Sequence, residues 1–223
     1  ADLLMDLAHD FKELTYIDFG SGFKVGYKPG ESATDIESFG NKMSTRFKEF
    51  CLEYGRDLKL IFEPGKFLVS EAGVFITKVN STKTTPSTVF AQVNSGFNHF
   101  PRPMMYDAYH HIENISNPDG EQRLYTIVGY VCETDTFGYD RKLNEVRNGD
   151  LLAFHNAGAY CSSMSSQYNS RVRPAEVLIE SDRSYLIRER ETMDDLLRGT
   201  IEHGLYLDIV TQGKEEAEIA VPS

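Results

Sequence analysis

The chain has 223 residues with 23 Lys and Arg against 34 Asp and Glu, a formal net charge of −11, and a surface that acidic argues against nucleic-acid binding through a basic face. Hydrophobic residues make up 40% and charged residues 26%, an ordinary globular balance that supports a real core. No apolar run reaches the ~20 residues a membrane span needs, no charged-then-apolar leader is seen, and the sparse cysteines Cys51, Cys132 and Cys161 suit reduced thiols in a cytoplasm better than a disulfide framework.

The chain opens on Ala1 inside a helical pattern. Leu3, Leu4, Leu7, Phe11 and Leu14 recur at helical spacing and predict a helix over 2–14, so a fragment, a processed chain or a cut protein is expected. A short apolar strand follows at 16–19, then the glycine loop Gly20-Ser21-Gly22. A long helix is predicted from Asp35 to Tyr54, opened by a capping box at Thr34-Asp35-Ile36-Glu37. Its stripe is Ile36, Phe39, Met43, Phe47, Phe50 and Tyr54, and Gly55 ends it. A second buried-type strand at 58–62 runs into Glu63-Pro64-Gly65-Lys66. This α-β-α-β order implies parallel strands with crossover helices. A full (β/α)8 barrel needs about 250 residues, so about 65 residues of this pattern amount to a couple of barrel units.

From Val74 onward the pattern turns to short β-rich runs at 73–80, 88–93, 124–132, 150–155, 175–180 and 185–188, separated by Gly, Pro, Asn and Ser clusters. That spacing predicts an antiparallel sandwich or barrel. Residues 115–122 are a predicted hairpin turn. A last helix is predicted at 192–202, and 212–223 is a polar tail. The expected domains are therefore 1–70, 71–211 and the tail.

Chemistry-bearing residues fall at several of these junctions. Gly20, Ser21 and Gly22 follow a strand and can bring backbone amides to a phosphate, though a plain tight turn reads the same way. Glu63 sits at a strand end before a rigid turn. Arg102 and Tyr106, in a predicted loop, offer a fork for a carboxylate, or a surface arginine and a packing tyrosine. Cys132 and Glu133 close a predicted strand; the pair could move protons, or Cys132 could be a small core residue. Gly158-Ala159-Tyr160 and Tyr168-Asn169 follow another strand. The His110-His111 pair lacks ligand spacing to any Cys, His or carboxylate partner, so no metal site is expected.

Taken in order, Asp18-Phe19-Gly20-Ser21-Gly22, Glu63-Pro64-Gly65-Lys66, Arg102-Pro103-x-x-Tyr106, Cys132-Glu133-Thr134, Gly158-Ala159-Tyr160 and Tyr168-Asn169-Ser170-Arg171-x-Arg173-Pro174 resemble the fold-type III decarboxylases that use pyridoxal 5'-phosphate (PLP). The Cys-Glu pair and the Arg-Pro-x-x-Tyr segment are most similar to the diaminopimelate decarboxylases among them. The resemblance covers nearly the whole chain and implies the last units of an alanine-racemase-like barrel, followed by the β domain, with 156–174 returning to the active site. It implies loss of CO2 from meso-2,6-diaminopimelate to give L-lysine. Gly20, Ser21, Gly22 and Gly65 would cradle the phosphate, with Tyr160 close by and Lys66 at the same turn. Glu63 would face the pyridine nitrogen. Arg102 and Tyr106 would hold a substrate carboxylate, Glu133 the distal ammonium group, and Cys132 would lie near the α-carbon as a proton donor. In this family Cys132 and Glu133 serve the partner's site, so a homodimer is implied.

The sequence departs from the family pattern at Lys66, where arginine is usual, at Ser21, where a third glycine is common, and at Asp135-Thr136, where Gly-Asp is usual. The family's Schiff-base lysine lies on an early barrel strand, and Lys24, Lys28 and Lys78 stand in no such motif. The chain alone should be inactive and should expose the edge of an unfinished barrel. Two other readings remain: a related arginine, ornithine or carboxynorspermidine decarboxylase, and a non-catalytic homologue that pairs with an active subunit.

Overall fold

The computed structural model describes residues 1–201. They fall into two compact units, Ala1–Arg173 and a second that begins at Pro174.

The first unit contains two cores. One is built around helix α2 (Ile36–Tyr54). Met43, Phe47 and Phe50 on its inner stripe are buried with Met5, Ala8 and Ile17, as the 3.6-residue spacing of these apolar positions requires. Asp35 caps the helix, its Oδ1 accepting the Ser38 N–H at 2.9 Å, and Gly55 at φ 79 closes it. The cap is therefore Asp35 and not Thr34. Thr34 Oγ1 instead accepts the Lys24 N–H at 2.7 Å and ties down the preceding loop. Helix α1 stops at Ala8 (Asp2–Ala8), short of residue 14. It buries Met5 and Ala8, while Leu3, Leu7 and Phe11 of the predicted stripe are exposed. Strands β1 (Tyr16–Asp18) and β2 (Lys59–Ile61) pair in parallel, Ile17 opposite Leu60, with α2 as the crossover that parallel pairing demands.

The second core lies inside a six-stranded sheet. The short helix α3 (Gly65–Val69) leads into β3 (Phe75–Thr84), followed by β4 (Val89–Val93), helix α4 (Arg102–Tyr106), β5 (Ile112–Asn114), β6 (Gln122–Val128), β7 (Thr136–Asn144) and β8 (Leu151–Phe154). The spatial order is β5-β8-β3-β4-β6-β7, and the outer strands β5 and β7 touch, so the sheet is nearly closed. Phe75, Phe100, Phe137, Phe154, Ile127 and Leu152 fill it.

Several sequence expectations are corrected here. The sheet is mixed and not wholly antiparallel, because β4 and β6 run parallel, Ala91 opposite Ile127. The connection between them is long enough to carry α4 and β5 and so can cross over. The 115–122 turn does not close a hairpin, since β5 pairs with β8 and β6 with β4 and β7. Arg102 begins a short helix rather than lying in a loop. Strand β6 ends at Val128, so Cys132 and Glu133 stand in the loop before β7.

The unit from Pro174 holds an antiparallel hairpin, β9 (Glu176–Glu180) and β10 (Arg183–Arg188), with Arg188 Nε 2.7 Å from Glu176 Oε1. Helix α5 (Met193–Leu197) follows under a Thr192–Asp195 capping box. The helix ends at Leu197, short of the predicted 202; residue 202 and the 212–223 tail lie outside the described residues. Among the described residues no helix is long and apolar enough to cross a membrane, and no group of three or more His, Cys, Asp or Glu could hold a metal ion.

Candidate active site

The ends of β1 and β2 bring the first two motifs side by side. The Glu63 N–H donates to the Gly20 carbonyl at 2.7 Å and the Phe19 N–H to the Ile61 carbonyl at 3.1 Å. Gly20 and Gly22 have φ of +65° and +129°, conformations that disfavour side chains, and nothing lies within 4 Å of where a Cβ would sit. The loop is thus bare backbone facing open space. Beside it is a cavity of about 340 Å³ lined by Ser21, Gly22, Phe23, Thr34, Phe39 and Phe62, among others. The Glu63 side chain is exposed.

Tyr160 reaches this edge because the chain after β8 crosses residues 69–73 at close range. The Gly158 N–H donates to the Ser70 carbonyl at 3.0 Å and the Ala157 N–H to the Gly73 carbonyl at 2.8 Å. A Cβ on Gly158 would stand 1.8 Å from the Val69 carbonyl oxygen. Glycine at 158 is what permits the crossing. Tyr160 takes a left-handed conformation (φ 58) that brings its hydroxyl to 3.3 Å from the position a Gly65 Cβ would occupy.

Arg102 is the centre of the next group. Its guanidinium lies 5.7 Å from the Tyr27 ring, 6.0 Å from Tyr106 and 5.7 Å from Tyr160, and Nη2 donates to the Tyr27 hydroxyl at 3.4 Å. Lys66 Nζ sits 5.8 Å from the other partner of this set, the Tyr27 ring. Behind Arg102 is His110, 1% exposed and packed against Phe100 at 4.5 Å and Tyr27 at 5.2 Å. His110 Nδ1 donates to the His155 carbonyl at 2.9 Å, which leaves Nε2 to accept from Arg102 Nε at 3.4 Å. Burial lowers the imidazole pKa to about 4, and the charges of Arg102 and Arg141 act in the same direction. His110 is therefore neutral at pH 7, as an acceptor facing a guanidinium must be.

Cys132 and Glu133 form a separate group. Cys132 Sγ–H donates to Glu133 Oε2 at 3.6 Å, and the Tyr168 hydroxyl donates to Glu133 Oε1. The Tyr168 bond, more than any other contact, holds the Glu133 carboxyl below its ordinary range. The Tyr168 ring packs on Phe97 at 4.9 Å.

The structure thus joins Gly65, Lys66, Tyr160, Arg102 and Tyr106 in one place. It sets Gly20, Ser21, Gly22 and Glu63 at the adjoining strand ends and gathers Cys132 and Glu133 around Tyr168. Tyr27 is a functional candidate that sequence reasoning did not find, and His110 was weighed there only as a metal ligand and set aside. Tyr27 belongs to no motif. His110 could have been picked out only as a histidine in a run that also supplies Arg102 and Tyr106.

The chain as a whole is similar to known proteins. The family described as pyridoxal-dependent decarboxylase, C-terminal sheet domain, matches residues 17–158. Diaminopimelate decarboxylase of Methanothermobacter thermautotrophicus is 45% identical over 206 residues, covering 89% of this chain and 48% of that protein. The Escherichia coli K12 diaminopimelate decarboxylase is 38% identical over 200 residues, covering 83% of this chain and 47% of its own. The crystal structure of diaminopimelate decarboxylase from M. jannaschii superposes with a TM-score of 0.80 at 34% identity, covering 92% of this chain and 47% of that one. The chain spans about half the length of the curated relatives it matches. It belongs to the family of pyridoxal-dependent decarboxylases, whose C-terminal sheet domain it carries.

Proposed function

We propose that this chain serves the PLP-dependent decarboxylation of meso-2,6-diaminopimelate to L-lysine and CO2, in the cytoplasm, as part of lysine biosynthesis. The observation that carries the reading is the convergence of Gly65, Tyr160, Lys66 and Arg102. A phosphorylated, zwitterionic ligand set needs bare backbone, a hydroxyl donor and cations within one reach, and these residues are of that kind. The relatives named as diaminopimelate decarboxylases at 38–45% identity support the same choice.

The residues fit the cofactor. The open glycines Gly20 and Gly22, with Ser21 and Gly65, would take its phosphate, helped by the Tyr160 hydroxyl and the Lys66 charge. Glu63, at the end of β2, is assigned to the pyridine nitrogen. When bound, PLP supplies an electron sink for the charge left as CO2 departs. Arg102, held from behind by His110, presents its outer nitrogens to a substrate carboxylate, and Tyr106 lines the same spot. Glu133, kept anionic, pairs with the distal ammonium group. Cys132 Sγ–H is the proton source for the α-carbon. No lysine among these residues is assigned the covalent link to the cofactor.

Cys132 and Glu133 are both exposed, which suits a homodimer in which that pair completes the neighbouring subunit's site. The parallel β1–β2 pair with its crossover helix supports reading residues 1–70 as the last units of a (β/α)8 barrel, and the six-stranded sheet supports a β domain after it, which we read as residues 71–211 with 156–174 returning to the site. The test is release of CO2 and L-lysine by the full-length, PLP-loaded protein given meso-diaminopimelate. Faster turnover of ornithine, arginine or carboxynorspermidine would move the assignment to those substrates. No turnover of any, with PLP bound, would favour a non-catalytic homologue that modulates an active subunit.

A further inference from the structure

The loop that carries Cys132 and Glu133 is organised by a residue to which no role has been given. Asp135 is 6% exposed, and burial raises the pKa of its carboxyl. A carboxylate removed from water must recover its hydrogen bonds from the protein. It does so from two different loops. Oδ1 accepts the Phe97 N–H at 2.7 Å and Oδ2 accepts the Val131 N–H at 3.0 Å. Its own carbonyl accepts the Gly129 N–H at 2.7 Å, and the Tyr130 N–H reaches the Ser95 carbonyl at 3.0 Å. Two glycines make the space. A Cβ on Gly129 would stand 2.0 Å from Asp135 Oδ2, and one on Gly96 would stand 2.8 Å from it. No side chain fits at either place while the carboxylate stays where it is.

The consequence lies in what is attached to each end. The bond to Val131 closes residues 131–135 into a ring that contains Cys132 and Glu133. The bond to Phe97 fixes the turn whose ring packs on Tyr168, and Tyr168 in turn donates to Glu133. One carboxylate therefore holds both the backbone under Glu133 and, through Phe97 and Tyr168, the hydroxyl that orients its side chain. We propose that Asp135 is the positioning residue of the Cys132–Glu133 pair: by bridging the Phe97 and Val131 amides in a space kept by Gly96 and Gly129, it sets where that thiol and carboxylate meet the substrate. The functional part of this statement rests on the decarboxylase reading; the positioning of the pair does not.

The test uses the full-length, PLP-loaded protein and Asp135→Asn. Asparagine keeps the shape but turns one acceptor into a donor that faces a backbone N–H. Alkylation of Cys132 by iodoacetamide, followed by peptide mass spectrometry, should speed up about tenfold, the factor that loss of one charge-assisted bond gives. The rate at Cys51, which lies on α2, should not move, which reports an intact fold. The KM for diaminopimelate should rise by a similar factor through Glu133, and kcat should fall with it through Cys132. A Cys132 rate within twofold of wild type in a folded variant would overturn the proposal. If Asp135→Asn does not fold, hydrogen exchange in the wild type decides: slow exchange at Phe97 and Val131 against fast exchange at Glu133 and Thr134 supports it, and equally fast exchange at all four overturns it. A normal Asp135 response in a protein that leaves diaminopimelate untouched would refute the substrate and spare the positioning.

Discussion

Acidification should weaken the fold through His110 in a window that the structure defines. The imidazole titrates near 6.5 in the unfolded chain and at about 4 in the fold. Between these values the unfolded chain holds a proton that the folded chain refuses, so stability falls as the pH drops from 6.5 toward 4. The full contribution is present above 6.5 and gone below 4. At 1.36 kcal/mol for each pH unit of that gap, the loss is about 3 kcal/mol. The physical event is a proton on Nε2, which would set two donors, His110 and Arg102 Nε, face to face. Urea unfolding of the wild type and of His110→Gln at intervals from pH 7 to 4 measures it, because the carboxylates that also titrate there are common to both. The wild type's advantage should shrink by about 3 kcal/mol across the window. A difference between the two proteins that stays constant with pH would refute the buried, neutral His110 and its support of Arg102.

Gly158→Ala should be severe, because its Cβ would meet the Val69 carbonyl oxygen at 1.8 Å and a backbone cannot step aside; a loss of about 3 kcal/mol or more is expected in thermal melting. Arg102→Lys in the full-length protein should raise the KM for diaminopimelate about tenfold while PLP binding changes little, since lysine keeps the charge but cannot both donate to His110 and present a fork. An unchanged KM would remove Arg102 from substrate binding.

What could be read without coordinates was local. Helix α2 was legible from its stripe and from Gly55, and β1 and β2 from short apolar runs ended by glycine and proline turns. Strand β7 was missed because Gly138 and Asp140 interrupt its alternation. The ladder with β6 shifts register there, and Asp140 has φ 48. β5 is three residues long and is a strand only because β8 lies beside it. The parallel β4–β6 pairing depends on partners far apart in the chain and leaves no local mark. Helix α1 was drawn too long because spacing continues past Ala8, while the burial that would sustain it does not.

The same division holds at the site. Gly20, Glu63, Arg102, Cys132 and Tyr160 were each legible as part of a short motif that carries its own chemistry. Their grouping was not, since it depends on Gly158 crossing residues 69–73 and on where α4 sits. The contacts that single out Tyr27, His110 and Asp135 are made only on folding. Asp135 was visible as a departure from the family pattern, but its bond to Phe97 spans 38 positions.

The central claim is that the Gly65–Tyr160 edge and Arg102 belong to one ligand site. A crystal structure of the full-length protein with PLP and L-lysine tests it most directly. The account predicts the phosphate against Gly20, Gly22 and Gly65 with the Tyr160 hydroxyl in reach, and the lysine carboxylate on Arg102. A phosphate bound away from those glycines, or a carboxylate with no contact to Arg102, would contradict it.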